Sequence, residues 1–150
     1  MKSKSLKDTY LFSKKISTKI KPGSLILLFG EIGVGKTTFA RFLINNIQIK
    51  KRIKKTEVLS PTFNIVYDYD CIRFKILHYD LYRIKNYKDI LELGVFEEND
   101  KNILIIEWPE KIKNKPKSRI EIHFKYSKKI NVRNLNIKGF GKFKNFNNEI

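Results

Sequence analysis

The chain has 150 residues, enough for one domain and too few for two ordinary ones, and its 41% hydrophobic residues can supply a core. No apolar run approaches the roughly 20 residues that span a membrane, and no signal-peptide core follows the basic N-terminus. A lone cysteine, Cys71, excludes an internal disulfide, and with two histidines it cannot complete a four-ligand zinc site. These features predict a cytoplasmic protein with no membrane partner.

The charge of the chain has two interpretations. Its formal net charge is +17 and its pI is near 9.9, which is compatible with RNA or another polyanion as a partner. The alternative is compositional, because the chain is rich in the residues that A/T-rich coding sequence favours, and lysine then accumulates on tolerant surfaces. The cations are spread along the chain rather than confined to one arm, so the charge alone does not separate the two interpretations.

The first half of the chain predicts a helix, a strand, a loop and a second helix. The first helix is expected over 8–20, ends at Pro22 and Gly23, and carries near one face Leu11, Phe12, Ile16 and Ile20. The apolar run 25–29 is typical of a strand buried on both faces of a parallel sheet, and a glycine-rich loop follows it. Helical spacing after the loop predicts a helix containing Phe39, Ala40, Leu43, Ile44 and Ile47.

The second half is predicted to be mostly strands. They are expected at 57–59, 65–69, 73–80, 103–106, 119–126 and 129–138. Asn86 and Gly94 bracket a short helix, and the polar, basic tail 139–150 is expected to be flexible. This order predicts one α/β domain over 1–138, with a mixed parallel and antiparallel sheet flanked by helices.

The glycine-rich loop matches the phosphate-binding pattern G-x-x-x-x-G-K-[ST] without deviation. Its glycines permit positive φ angles and a close approach of backbone to phosphate, and its N–H groups form an anion site with the start of the next helix. In this pattern Lys36 reaches the β- and γ-phosphates, and the Thr37 hydroxyl binds Mg²⁺. The sequence therefore predicts a P-loop NTPase domain whose nucleotide contacts are Gly30, Glu31, Ile32, Gly33, Val34, Gly35, Lys36, Thr37 and Thr38.

Two carboxylates end predicted strands. Glu107 follows four apolar residues, the position from which a P-loop protein holds magnesium directly or through water; a solvent-facing Glu is the alternative. Asp80 shares a strand face with His78, and Arg83 follows. Asp80 is a candidate for orienting the attacking water or for completing the metal shell, and Arg83 for pairing with a phosphate or with Asp80. The competing interpretation is a structural ion pair at a strand end.

Five segments in order, GEIGVGKTTFAR, SPTFNIVYDY, HYDLYR, ELG and IIEWPE, resemble the TsaE family, also called YjeE, over about residues 8–126. The resemblance implies the ATPase of bacterial tRNA threonylcarbamoyladenosine biosynthesis, with ATP and Mg²⁺ as ligands. It implies that Thr37 and Glu107 serve the metal and that Asp80 is needed for hydrolysis.

The resemblance also implies roles outside the P-loop and the two carboxylates. Thr62 is expected in a switch-like loop, Trp108 near the nucleotide, and Thr9 near the adenine. TsaB-like and TsaD-like proteins are expected to carry out the threonylcarbamoyl transfer, while this ATPase, weak alone, resets their complex. Contact with tRNA is then indirect, and no DNA partner is expected.

Three rival functions are considered. A small P-loop kinase needs an acceptor pocket and an arginine-bearing lid, and no such insert is evident. A GTPase needs the motif Asn-Lys-x-Asp, but Asn114-Lys115 is followed by Pro116-Lys117. A basic RNA-binding module that retains a P-loop would use residues 50–55 and 111–144, and it predicts strong, salt-dependent tRNA binding without partners.

Overall fold

A seven-stranded sheet organises the computed structural model, which describes residues 1–149. Its strands are β1 (Lys2–Ser3), β2 (Leu25–Phe29), β3 (Val66–Asp70), β4 (Lys75–Asp80), β5 (Ile103–Glu107), β6 (Arg119–Tyr126) and β7 (Arg133–Phe140). Their order across the sheet is β1-β7-β6-β2-β5-β4-β3. β2 is parallel to β5 and β6, and β4 is parallel to β5, whereas β3, β7 and β1 join in antiparallel pairs. The mixed sheet predicted from the sequence is confirmed.

The two faces of the sheet support two separate cores. Helices α1 (Leu6–Ser17) and α2 (Lys36–Lys50) cover one face, where Phe39 is fully buried against residues such as Ile26. The other face packs Leu27 and its neighbours against α3 (Tyr87–Glu92) and the loops around it. β2 and β5 therefore lie in apolar surroundings on both sides, as their continuous apolar sequences require.

The carboxyl ends of three parallel strands meet at one edge of the sheet. The phosphate loop leaves β2 there, Glu107 ends β5, and Asp80 ends β4. Asp80 is the direct register partner of Glu107 across the parallel β4–β5 pair. Ligands bind in α/β folds at this edge, so the topology gathers the predicted site residues at one place.

Some predicted elements differ from the structure. The first helix begins at Leu6, because Ser5 caps it by accepting a hydrogen bond from the Asp8 N–H at 3.1 Å, and Leu11 points into solvent. The strand expected at 57–59 does not form. Side chains of α2 replace the strand partners there, since Arg41 Nε donates to the Val58 carbonyl at 2.8 Å.

The tail is ordered where the sequence predicts flexibility. β7 continues to Phe140, past the expected boundary at 138, and short 3₁₀ segments follow at Gly141–Phe143 and Phe146–Glu149. Phe143 and Phe146 lie in the core beneath α1 and α2, with their ring centroids 6.3 Å apart. The tail is ordered because these two aromatic rings are buried. The polar composition of the segment as a whole gave no indication of this burial. Ile150 lies outside the described residues.

No helix within residues 1–149 has the length and apolar character needed to cross a bilayer.

Candidate functional site

The phosphate loop adopts the backbone conformation that its glycines were predicted to allow. Gly30, Gly33 and Gly35 have φ angles of 141°, 73° and 111°. A Cβ atom on Gly30 would lie 2.6 Å from the carbonyl oxygen of Phe124, so no larger residue fits there without a backbone shift. Among the described residues no side chain caps the start of α2, so its N–H groups are directed at the loop interior and can bind an anion.

Lys36 lies folded back into the loop. Its ammonium donates hydrogen bonds to the carbonyls of Gly30 at 2.6 Å and Glu31 at 3.0 Å, and it sits 3.9 Å from the ring centroid of Trp108. Burial lowers the pKa of Lys36, an effect that nearby carboxylates, Glu107 first among them, oppose. The buried ammonium of Lys36 therefore binds two neutral carbonyl groups. A phosphate can replace these carbonyls, because a charged acceptor forms a stronger hydrogen bond with an ammonium.

Glu107 is the centre of a short hydrogen-bonded chain. The Thr37 hydroxyl donates to Glu107 Oε2 at 2.9 Å, and Nε2 of His78 lies 2.9 Å from Glu107 Oε1. Glu107 is 2% exposed and His78 is fully buried, so Glu107 is not the solvent-facing residue of the alternative interpretation. A hydroxyl and a carboxylate side by side offer two oxygen ligands for Mg²⁺. In nucleotide sites Mg²⁺ takes few ligands from the protein, and phosphate oxygens and water complete its coordination.

Asp80 is held by two donors beside this chain. The Thr62 hydroxyl donates to its Oδ2 at 2.7 Å, and the Tyr82 N–H donates to its Oδ1 at 2.9 Å. Arg83 turns away, and its guanidinium lies 5.0 Å from the ring centroid of Phe63. Within residues 1–149 Arg83 forms no ion pair with Asp80, which was one of the two roles considered for it, and the Thr62 hydroxyl links its own loop to Asp80 instead.

Trp108 has a left-handed backbone, with φ 58° and ψ 47°. Pro109 disfavours the right-handed helical conformation for the residue before it, and the left-handed one is strained for a bulky side chain. The indole is held between the ammonium of Lys36 and the ring of Tyr82, whose centroid lies 4.8 Å away. Strain that neighbouring contacts stabilise is common at functional sites.

Two clefts flank the phosphate loop. One, of about 230 Å³, is bounded by Ile32 and Thr38 of the loop region and by the acidic groups described above. The other, of about 320 Å³, is lined by Thr9 and Val34 among others. Thr9 thus lies beside the loop, where its hydroxyl is 2.7 Å from that of Ser3. Glu31 and Ile32 point outward, whereas Val34 is buried in the core.

His78 is the partner that sequence reasoning missed for Glu107. Its spacing from Asp80 was visible, but the register of β4 against β5 was not, and that register brings the imidazole to the carboxylate. Tyr82 was likewise not singled out as a neighbour of Trp108. A histidine two residues before a strand-end Asp is the only signal in the sequence that points to the first of these contacts.

Comparison with protein families decides the family of the chain. Residues 3–135 match the model of a family described as threonylcarbamoyl adenosine biosynthesis protein TsaE. The chain belongs to the TsaE family. The match covers the phosphate loop, both carboxylates and the Trp108 turn, so the resemblance seen in the sequence motifs is confirmed.

Curated TsaE proteins are similar over most of the chain. The tRNA threonylcarbamoyladenosine biosynthesis protein TsaE of Rickettsia prowazekii is 42% identical over 110 residues, covering 73% of this chain and 74% of the relative. Its counterpart in Aquifex aeolicus is 34% identical over 106 residues, covering 71% and 73%. Among solved structures, Bacillus subtilis YdiB superimposes with a TM-score of 0.72 at 22% identity, over 97% of this chain and 88% of YdiB, which supports the fold.

Proposed function

We propose that this TsaE-family protein is a magnesium-dependent ATPase that supports threonylcarbamoyl modification of tRNA adenosine. The observation that carries the proposal is the hydrogen bond of 2.9 Å between Thr37 and Glu107 at the mouth of a P-loop. That pair joins the residue after the P-loop lysine to a carboxylate on a neighbouring strand. Phosphate-binding loops use such a pair to hold the metal of a nucleoside triphosphate.

In this proposal each residue of the site has its own role in binding or hydrolysing ATP. Lys36 exchanges its carbonyl partners for the β- and γ-phosphates, and the loop N–H groups hold the same oxygens. Thr37 and Glu107 would hold Mg²⁺, which when bound neutralises charge on the phosphates and polarises them. Asp80 serves hydrolysis from beside Glu107, and its hydrogen bond to Thr62 links that loop to the phosphate site.

ATP is the preferred nucleotide in this proposal. The chain lacks the Asn-Lys-x-Asp motif that reads guanine. The cleft of about 320 Å³ beside the loop is the proposed base side, with Thr9 and Thr38 as polar contacts and Trp108 on the phosphate side. The names of the relatives support the biological setting, since they are described as tRNA threonylcarbamoyladenosine biosynthesis proteins.

The proposed partners are TsaB-like and TsaD-like proteins of the same cytoplasm, which perform the transfer. The test is ATP turnover by the purified chain, alone and with those partners. Turnover is expected to be slow alone, to rise with the partners, and to fall at least about a hundredfold in Glu107→Gln. Glu92→Gln is the matched control, because Glu92 is an exposed Glu on α3 whose ion pair within residues 1–149 is the one with exposed Lys88.

Two outcomes would contradict different parts of the proposal. If Glu107→Gln keeps wild-type turnover while folding normally, the metal assignment is wrong. If the rate of ATP turnover is the same with and without the partners, although Glu107→Gln abolishes it, the ATPase assignment is retained. The proposed coupling to tRNA modification is then wrong.

A further inference from the structure

On the side of the sheet that faces away from α1 and α2, strands β6, β7 and β1 carry exposed lysines instead of a packed apolar core. Along β6, Ile120, Ile122 and Phe124 point toward α1 and α2 and are buried. The alternate residues Glu121 and Lys125 point to the opposite side, because side chains alternate along a strand. Lys125 is exposed there, so no helix covers this part of the sheet.

We name this surface the lysine face and define it by six residues on β6, β7 and β1. They are Lys2, His123, Lys125, Asn134, Asn136 and Lys138. Together they line an open groove of about 450 Å³. The three strands are neighbours in the sheet, so the groove spans two strand spacings, on the order of 10 Å.

The lysine face carries an excess of positive charge. None of its three lysines makes an ion pair within residues 1–149, and no carboxylate lines the groove. The nearest acid on this side of β6, Glu121, is already engaged: Arg119 Nε donates to it at 2.8 Å, and His123 Nε2 lies 3.0 Å away. Glu121 lies opposite Lys138 across the β6–β7 pair, and because it also binds Arg119 and His123, it offsets the charge of the lysines only in part.

We propose that the lysine face binds the phosphate backbone of tRNA directly. Exposed lysines that outnumber the acids beside them are the electrostatic footprint of a nucleic-acid contact, and phosphate binding releases counterions. The amides of Asn134 and Asn136 lie between the lysines and both donate and accept hydrogen bonds, as sugar and phosphate contacts require. Membership of a family named for threonylcarbamoyl adenosine synthesis favours RNA over other polyanions.

This contact is distinct from the nucleotide site. The phosphate loop holds anions at the carboxyl edge of the sheet, whereas the lysine face lies on the strand surfaces of β6 and β7 and contains no loop residue. It is also distinct from the basic segment 50–55, which follows α2. Three of the 32 Lys and Arg residues of the chain thus lie together on one surface of the sheet.

The test measures binding of a fluorescently labelled tRNA transcript to the full chain by anisotropy, from about 50 to 200 mM KCl. The test variant replaces Lys2, Lys125 and Lys138 with Gln. The matched control replaces Lys14, Lys54 and Lys55 with Gln, which removes the same charge from exposed positions on or beside the helices. Circular dichroism and thermal unfolding verify that both variants fold, and ATP turnover is expected to stay at the wild-type rate in both.

The expected result is a salt-dependent wild-type affinity. The slope of log K against log salt should fall by about 2 in the lysine-face variant, since each phosphate contact contributes roughly 0.7 to 0.9. The control should retain the wild-type slope. The proposal is overturned if wild type does not bind tRNA at low salt, if both variants lose the slope equally, or if polyglutamate competes as well as unlabelled tRNA, which would assign the face to an acidic protein.

Discussion

Replacing His78 with Ala removes the second donor to Glu107. His78 is fully buried, and its Nε2 lies 2.9 Å from Glu107 Oε1, so the N–H group at Nε2 donates a hydrogen bond to the carboxylate. Within residues 1–149 the other ring nitrogen has no hydrogen-bond partner, so this one contact orients the imidazole. After the substitution, Thr37 is the one side-chain donor to the carboxylate left among residues 1–149, and the other carboxylate oxygen remains buried without a partner.

Two terms set the expected loss of stability. A lost hydrogen bond to a buried charge contributes about 1.5–3 kcal/mol, and the cavity left by the ring adds to it. His78→Ala should therefore lower the free energy of unfolding by about 3–4 kcal/mol. Because a partner of a metal ligand fixes its orientation, the apparent affinity for Mg²⁺ in ATP binding should fall about tenfold to a hundredfold.

Urea denaturation measures the first effect, and Mg²⁺ titration of ATP binding measures the second. Ile76→Ala is the matched control, because Ile76 is fully buried on the same face of β4 and its truncation destabilises without touching Glu107. His78→Gln retains an N–H donor and should restore part of the Mg²⁺ affinity. The reasoning is refuted if Ile76→Ala shifts the Mg²⁺ dependence as much as His78→Ala does.

Three further predictions concern other parts of the fold. Gly30→Ala should weaken ATP binding at least about tenfold in a titration, because its Cβ would lie 2.6 Å from a backbone carbonyl. Phe146→Ala should lower the free energy of unfolding by about 3 kcal/mol in urea, whereas Phe63→Ala, at an 82% exposed position, should change it by less than about 0.5 kcal/mol. Glu121→Gln should lower the free energy of unfolding more at pH 7 than near pH 3.

The pH dependence of Glu121→Gln follows from the sign of its pKa shift. Burial raises the pKa of Glu121, but hydrogen bonds from Arg119 and His123 outweigh burial and hold it below the ordinary value of 4.5. The folded state thus favours the carboxylate, which contributes its full stability above that value and loses it as the pH falls through the lower, folded pKa. Equal destabilisation by Glu121→Gln at both pH values, measured by urea unfolding, would contradict this account.

The sequence alone determined the local parts of the protein. The spacing of glycines, Lys36 and Thr37 predicts a phosphate loop, because that function depends on consecutive backbone conformations. The apolar runs that became β2 and β5 are recognisable because strands buried on both faces need no alternation. The position of Glu107 at the end of β5 is predictable in the same way, because it directly follows four apolar residues.

Contacts between distant segments were decided only by the tertiary structure. The pairing of β4 with β5 sets His78 against Glu107 and Asp80 beside it, and strand register depends on packing that no single segment encodes. The order of the tail also depends on distant segments, since Phe143 and Phe146 are buried because they pack in a core formed by other parts of the chain. The lysine face is a third case: its lysines lie far apart in sequence, and antiparallel pairing of β1, β7 and β6 brings them to one surface.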